Sequence, residues 1–173
     1  MSGTFRHTPV LLMETVSLLA PERGGTFVDG TLGGGGHAEA VLRRLPEDGR
    51  QAVLRRLPED GRLIGIDRDW EAVHAAEGRL SEYGGRFYAL HGNFFQMRAL
   101  LGSVGVTAAN GILLDLGVSS HQLDAPERGF SYRTDAPLDM RMDTGERLTA
   151  YDVVNGYDAE ALMRILWEYG EER

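Results

Sequence analysis

The stretch Thr26-Phe27-Val28-Asp29-Gly30-Thr31-Leu32-Gly33-Gly34-Gly35-Gly36-His37 limits what this chain can fold into more than any other. Phe27 and Val28 read as the end of a buried strand, and the glycines after Asp29 allow a tight turn on which a ligand can approach bare backbone. Ala38-Glu39-Ala40-Val41-Leu42-Arg43-Arg44-Leu45 then has helical composition, so unpaired amides and the positive end of a helix face the loop. A second acid, Asp67, closes the next apolar run, Leu63-Ile64-Gly65-Ile66. A glycine run alone is more often a plain turn. With an acid at the end of the following strand, it points to a nucleotide-like ligand laid across the carboxyl ends of parallel strands.

The rest of the chain continues that alternation. Residues 7–12 start extended because of Pro9, and residues 13–19 place apolar side chains at helical spacing before Pro21 and Gly24-Gly25 end the helix. Residues 70–80 form a second amphipathic helix with Asp69 as its N-cap. Residues 86–90 read as a third strand, followed by His91-Gly92-Asn93-Phe94, a helix over 96–101, and a fourth strand over 111–115. This βαβαβαβ order predicts a parallel, doubly wound α/β sheet. From Leu116 a long irregular segment runs through Arg128-Gly129-Phe130-Ser131-Tyr132-Arg133 to Asp143, a length usually found in functional or disordered connections. Two helices close the chain: Thr149 and Asp152 have capping-box spacing, and Asp158 caps residues 159–169 before Gly170.

One feature is not architectural. Residues 40–50 recur without change as residues 52–62, with Gln51 between them. A structural repeat would be longer, would diverge and would need several copies, so a recent or engineered duplication is the better reading. An offset of twelve residues turns a helix roughly 120° out of phase, and Pro46 and Gly49 interrupt it. One copy is therefore expected to pack as the crossover helix while the other is extruded. Gly36 and Asp67 are 31 positions apart, or 19 without the duplicated twelve, close to the roughly 20 between a glycine loop and its ribose-binding acid.

Composition bounds the chemistry. With 173 residues, 42% of them hydrophobic, the chain can build an ordinary core. The net charge of -8 argues against a protein that holds nucleic acid mainly by wrapping its phosphates. There are no cysteines, no signal-peptide pattern and no apolar run of bilayer length, which leads to the expectation of a cytoplasmic protein without a membrane partner, disulfides or thiolate metal sites. No metal is required by the chemistry below.

Each strand end offers one part of a site for an adenosine-containing ligand. The glycines admit it, Asp67 can accept both ribose hydroxyl protons, Phe94 offers an apolar face to a ring, and Asp115 can accept from an amine. Asp29 chooses among ligands: an acid at the loop mouth repels a pyrophosphate and attracts an ammonium or sulfonium. That favours S-adenosylmethionine over NAD, and the absence of a Gly-Lys-Ser/Thr sequence opposes a P-loop nucleotidase.

At this point the residues resemble a known family. His7-Thr8-Pro9-Val10-Leu11-Leu12, Asp29-Gly30-Thr31-Leu32-Gly33-Gly34-Gly35-Gly36-His37, Ile66-Asp67-Arg68-Asp69, residues 111–120, Arg128-Gly129-Phe130-Ser131 and residues 137–143 closely resemble the MraW (RsmH) family. The resemblance implies a Rossmann-like class I methyltransferase fold that uses S-adenosylmethionine to modify the exocyclic N4 amine of a cytosine in small-subunit (16S) ribosomal RNA. It further implies that Gly35, Gly36 and His37 line the methionine end of the cofactor, that Asp67 holds the ribose and Phe94 borders the adenine, and that Asp115 and Gln122 complete the pocket. Asp115, or a backbone carbonyl of residues 116–119, is also the candidate catalytic acceptor. Taken alone, His37 reads only as a helix-start residue, and Gln122 carries no signal.

The expected organisation is a cofactor-binding portion over 1–123 and, over 124–173, the irregular segment and the start of a helical domain. The resemblance implies an amino-terminal portion with an incomplete sheet. Phe130, Tyr132 and Arg133 suit either RNA stacking or packing against the sheet. Two alternatives stay open: an NAD-dependent oxidoreductase, and a catalytically inert cofactor-binding or engineered folding fragment.

Overall fold

The computed structural model describes residues 9–46 and 61–172, and the polypeptide forms two compact units, Met1–Gly117 and Val118–Arg173. In the first unit the described elements are α1 (Leu12–Leu19), β1 (Thr26–Asp29), α2 (Gly36–Leu42), β2 (Arg62–Asp67), α3 (Trp70–Arg79), β3 (Phe87–His91), α4 (Met97–Ser103) and β4 (Gly111–Leu113). The four strands form one sheet in the order β3-β2-β1-β4, and every pairing is parallel. The register sets Asp29 opposite Gly65 on one side and Leu113 on the other.

Alternation along the strands explains why helices cover both faces. Phe27 and Leu63 point to one side, where they meet Val16 of α1, Val41 and Leu42 of α2, and Ala76 of α3. Val28, Ile64 and Ile66 point to the other, against Leu101 of α4 and Val106. A strand buried on both faces has no polar side to alternate with, which is why β1 and β2 read as unbroken apolar runs. Asp69 caps α3 as expected, accepting from the Glu71 amide at 3.0 Å.

The described residues include part of the duplicated segment. Helix α2 ends at Leu42, where the chain turns, so one continuous helix through Pro46 does not form. Val41, Leu42 and Leu45 are buried, so the first copy supplies the packed crossover helix. Val53 and Leu54 of the second copy, like His7 and Thr8 of the expected extended start, lie outside the described residues. Arg86 closes the crossover from below: its Nη2 donates to the carbonyls of Leu42 (3.3 Å) and Leu45 (3.0 Å), and its Nε donates to that of Gly61 (3.3 Å). Leu45 and Gly61 therefore stand side by side although 15 residues separate them.

In the second unit the segment after Asp115 is less irregular than its sequence suggests. It holds α5 (Ser120–Asp124) and a single turn at Pro126–Arg128. Beyond these, two arginines supply the order that regular backbone pairing does not. Buried Arg128 donates from Nη2 to the carbonyls of Arg141 and Met142 (3.1 and 2.8 Å). Arg141 grips Asp139 with two parallel hydrogen bonds of 2.9 and 2.6 Å and donates from Nη1 to the carbonyls of Thr144 and Glu146, a geometry that only a guanidinium offers. Helices α6 (Ala150–Gly156) and α7 (Ala159–Tyr169) start at the expected caps. Thr149 and Asp152 form a capping box, and Asp158 accepts from the Ala161 amide.

The closeness of Leu45 and Gly61 makes the duplication testable. Deleting residues 47–58 leaves one copy and shortens the connection between α2 and β2 from 19 residues to 7, which lowers its closure entropy cost by about 1 kcal/mol. Urea unfolding of the deletion variant is expected to show equal or higher stability; a loss of 2 kcal/mol or more would show that the second copy packs.

Candidate ligand site at the carboxyl ends of the strands

The strand order reverses at β1. Its crossover leads to β2 on one side while β4 adds on the other, so the switch point, where doubly wound sheets take their ligands, lies beyond the carboxyl ends of β1 and β4. Asp29 ends β1, Asp67 ends β2, and Asp115 lies two residues beyond β4.

Asp29 is 2% exposed. Its Oδ1 accepts from the Thr31 amide at 3.1 Å and, at the long distance of 3.5 Å, from the Thr31 hydroxyl. Its Oδ2 is buried with no hydrogen-bond partner. Burial, opposed by the Thr31 amide and reinforced by the charges of Asp67 and Asp115, pushes the carboxyl from 3.8 up to about 7. The same Thr31 hydroxyl accepts from the Asp115 amide at 2.7 Å. The Asp115 side chain is half exposed and lies 4.0 Å from Nδ1 of buried His37. His37 Nε2 donates to the Val10 carbonyl at 3.1 Å. Because a carbonyl only accepts, that nitrogen carries a proton.

Asp67 holds the glycine loop in place. Its Oδ2 accepts from the Gly33 amide at 2.8 Å and its Oδ1 from the Asp69 amide at 2.9 Å; burial still raises its pKa despite these and the backbone hydrogen bond from Arg68. Arg79, on α3, donates from Nη1 to the Gly34 carbonyl (3.2 Å) and from Nε to Glu39 (2.7 Å). Burial would raise the Glu39 carboxyl, but the hydrogen bonds from Arg79 and Arg43 outweigh it and hold the group low.

Two of the glycines answer to the protein itself. Gly35 has φ 77°, and a side chain there would press on Leu80 and Ala76 of the first core. A Cβ on Gly36 would lie 2.4 Å from Pro9, because the segment before α1 crosses the start of α2. Leu11 in that segment adopts φ 51°, a conformation that costs a non-glycine residue about 1 kcal/mol, and the turn it makes accompanies the bond from His37 to Val10. With seven residues, α2 is too short for its dipole to count for much.

Phe94 begins a single turn after β3, is 38% exposed and brings its Cβ beside Gly30. Gln122 belongs to the second unit. It is buried there and closes a capping box with Ser119, accepting from the Ser119 amide at 3.0 Å while its own amide donates to the Ser119 hydroxyl at 3.1 Å. Ser119-x-x-Gln122 is a readable capping signal that sequence reasoning passed over. In the same unit Tyr132 is fully exposed and Phe130 is half-buried. Sequence reasoning also missed Thr31 and Arg79. The spacing Asp29-x-Thr31 is a signal for the first, since an aspartate commonly caps the amide two residues on; nothing local marks the second. Among the described residues no group of three or more His, Cys, Asp or Glu could hold a metal ion, and no helix is long and apolar enough to cross a membrane.

Order and site define a doubly wound α/β domain with three acids around its switch point. More particularly, the chain belongs to the MraW methylase family, whose model matches residues 4–173. It is 48% identical over 169 residues to a protein of Symbiobacterium thermophilum named ribosomal RNA small subunit methyltransferase H, covering 98% of this chain and 49% of that protein. A protein of the same name from Geobacter sulfurreducens is 49% identical over 170 residues, covering 98% and 51%. The chain thus spans about half the length of the curated relatives it matches. Among solved structures, an O-methyltransferase from Klebsiella pneumoniae aligns over 98% of this chain and 72% of its own, at 16% identity and a TM-score of 0.46.

Burial of Asp29 has a measurable consequence. Its folded pKa of about 7 lies above the ordinary 3.8, so the native state holds this proton more tightly than the unfolded chain. That stability is present in full below about pH 4 and is lost as pH rises to about 7, a change on the order of 4 kcal/mol. Urea unfolding of the native chain and Asp29→Asn between pH 4.5 and 8 is expected to show the native chain losing stability relative to the variant as pH rises. Parallel curves would refute the buried titration.

Proposed function

We propose that this chain is the cofactor-binding part of an S-adenosylmethionine-dependent methyltransferase acting in the cytoplasm on the exocyclic N4 amine of a cytosine in small-subunit ribosomal RNA. The observation that carries the reading is the buried Asp29 Oδ2 without a partner, flanked by Asp67 and Asp115. Three acids around one crevice suit a ligand that brings positive charge and repel a pyrophosphate, and membership of a methylase family is consistent with that choice. The relatives named as ribosomal RNA small subunit methyltransferases support the substrate class; nothing supports the oxidoreductase alternative.

The residues present fit the cofactor. Asp29, buried behind the loop, contributes its negative charge toward the ammonium, Asp67 presents its carboxylate to the ribose hydroxyls, and Phe94 an apolar flank to the adenine. Gly35, Gly36 and His37 form the wall at the methionine end. Bound S-adenosylmethionine supplies an electrophilic methyl group. The cytosine amine is a poor nucleophile because its lone pair is delocalised into the ring. Asp115, half exposed beside the crevice, accepts its proton as the new bond forms. The base must leave its stack to reach this position.

Calorimetric titration with S-adenosylmethionine is expected to give saturable binding, lost in Asp67→Ala, with no heat from NADH. Affinity should fall as pH drops below about 7, by up to tenfold per unit, because a protonated Asp29 no longer attracts the ammonium. The reading fails if a folded chain binds NADH and not S-adenosylmethionine, or binds neither.

A further inference from the structure

Strand pairing between β1 and β4 ends at the bond from the Gly30 amide to the Leu113 carbonyl, 2.9 Å. Beyond it, where backbone pairing has stopped, the two chains remain tied through one side chain. The Asp115 amide donates to Thr31 Oγ1 at 2.7 Å, and among the described residues the Thr31 hydroxyl proton has the Asp29 carboxylate in reach, at 3.5 Å. A hydroxyl has one proton and two lone pairs, so Thr31 can accept from Asp115 and donate to Asp29 together. We infer that Thr31 is a positioning residue: its hydroxyl carries the β1–β4 pairing past the strand ends, sets where Asp115 stands, and makes that setting respond to the charge on Asp29. The consequence for catalysis rests on the methyltransferase reading above; the link itself does not.

The physical reason is that a hydrogen bond to an ionised acceptor is shorter and stronger than one to a neutral acceptor. When Asp29 ionises, the Thr31 proton is drawn to Oδ1, the hydroxyl oxygen becomes a better acceptor, and the bond from the Asp115 amide tightens. Asp67 and Asp115 act on Asp29 from the ends of β2 and β4, and His37 faces Asp115 from α2. For a proton acceptor in methyl transfer, placement within a fraction of an ångström decides the rate.

The test is an NMR titration of the whole chain from pH 5.5 to 8.5 in the native form, Thr31→Val, Thr31→Ser and Asp29→Asn. The Asp115 amide proton is expected to shift with the same midpoint as the Asp29 carboxyl carbon in the native chain and in T31S. In T31V that step is lost and exchange of the Asp115 amide with solvent quickens about tenfold, while amide shifts in β2 and β3 are unchanged. In D29N the step at the Asp29 midpoint disappears with Thr31 still present, which identifies Asp29 as its source; Thr31→Ala, which likewise lacks the hydroxyl, takes the place of T31V if that variant does not fold. An Asp115 amide that ignores Asp29 in the native chain, or follows it equally in T31V, overturns the inference. A parallel titration with S-adenosylmethionine is expected to show three- to tenfold weaker binding in T31V. Failure of the native chain to bind would count against the proposed function alone, since the NMR link needs no ligand.

Discussion

Everything at the site depends on β1 pairing in parallel with β2 on one side and β4 on the other. Parallel strands present all their carboxyl ends at one edge, so residues that follow Asp29, Asp67 and Leu113 in three separate parts of the chain meet around one crevice. No side chain needs to reach far. The register that buries Val28 against Ile64 and Leu101 also brings Thr31 to the Asp115 amide.

The arrangement is costly for the fold and suited to a ligand. Asp29 is buried with one oxygen unpartnered, beside two further acids, a combination that lowers stability near neutral pH. Such conflicts with local rules concentrate at functional sites. The surroundings are braced in compensation: Asp67 receives the Gly33 amide, Arg79 holds the Gly34 carbonyl and the Glu39 carboxylate, and His37 fixes the segment that passes over Gly36. The glycine loop is thus a rigid wall, and two of its glycines are required by Pro9 and by the core side of α3.

The second unit follows a different logic. Where regular backbone pairing runs out, the guanidinium groups of Arg128 and Arg141 collect carbonyls that would otherwise need secondary structure to satisfy them. Sequence patterns based on periodicity are blind to this kind of order, so residues 116–143 read as irregular while the structure holds a short helix and a hydrogen-bonded loop. The apolar residues Tyr151, Val154, Met163, Leu166 and Trp167 of α6 and α7 are exposed, and helical spacing alone does not tell which helix faces find a partner.

Local chemistry was enough to determine the element order, the parallel sheet, the caps at Asp69, Thr149 and Asp158, and the placement of Asp29, Asp67 and Asp115 at or just beyond strand ends. Each of these follows from residues close in sequence, through periodicity, turn propensity or charge. Tertiary structure alone showed that the first copy of the duplicated segment packs, since the two copies are identical in sequence. It also decided that Gly36 exists for Pro9, that Arg86 joins the ends of the crossover, and that Thr31 spans from β1 to Asp115. Those contacts link residues 25 to 84 positions apart, and a long-range contact leaves no periodic trace in the sequence because the geometry that creates it exists only after the strands have paired.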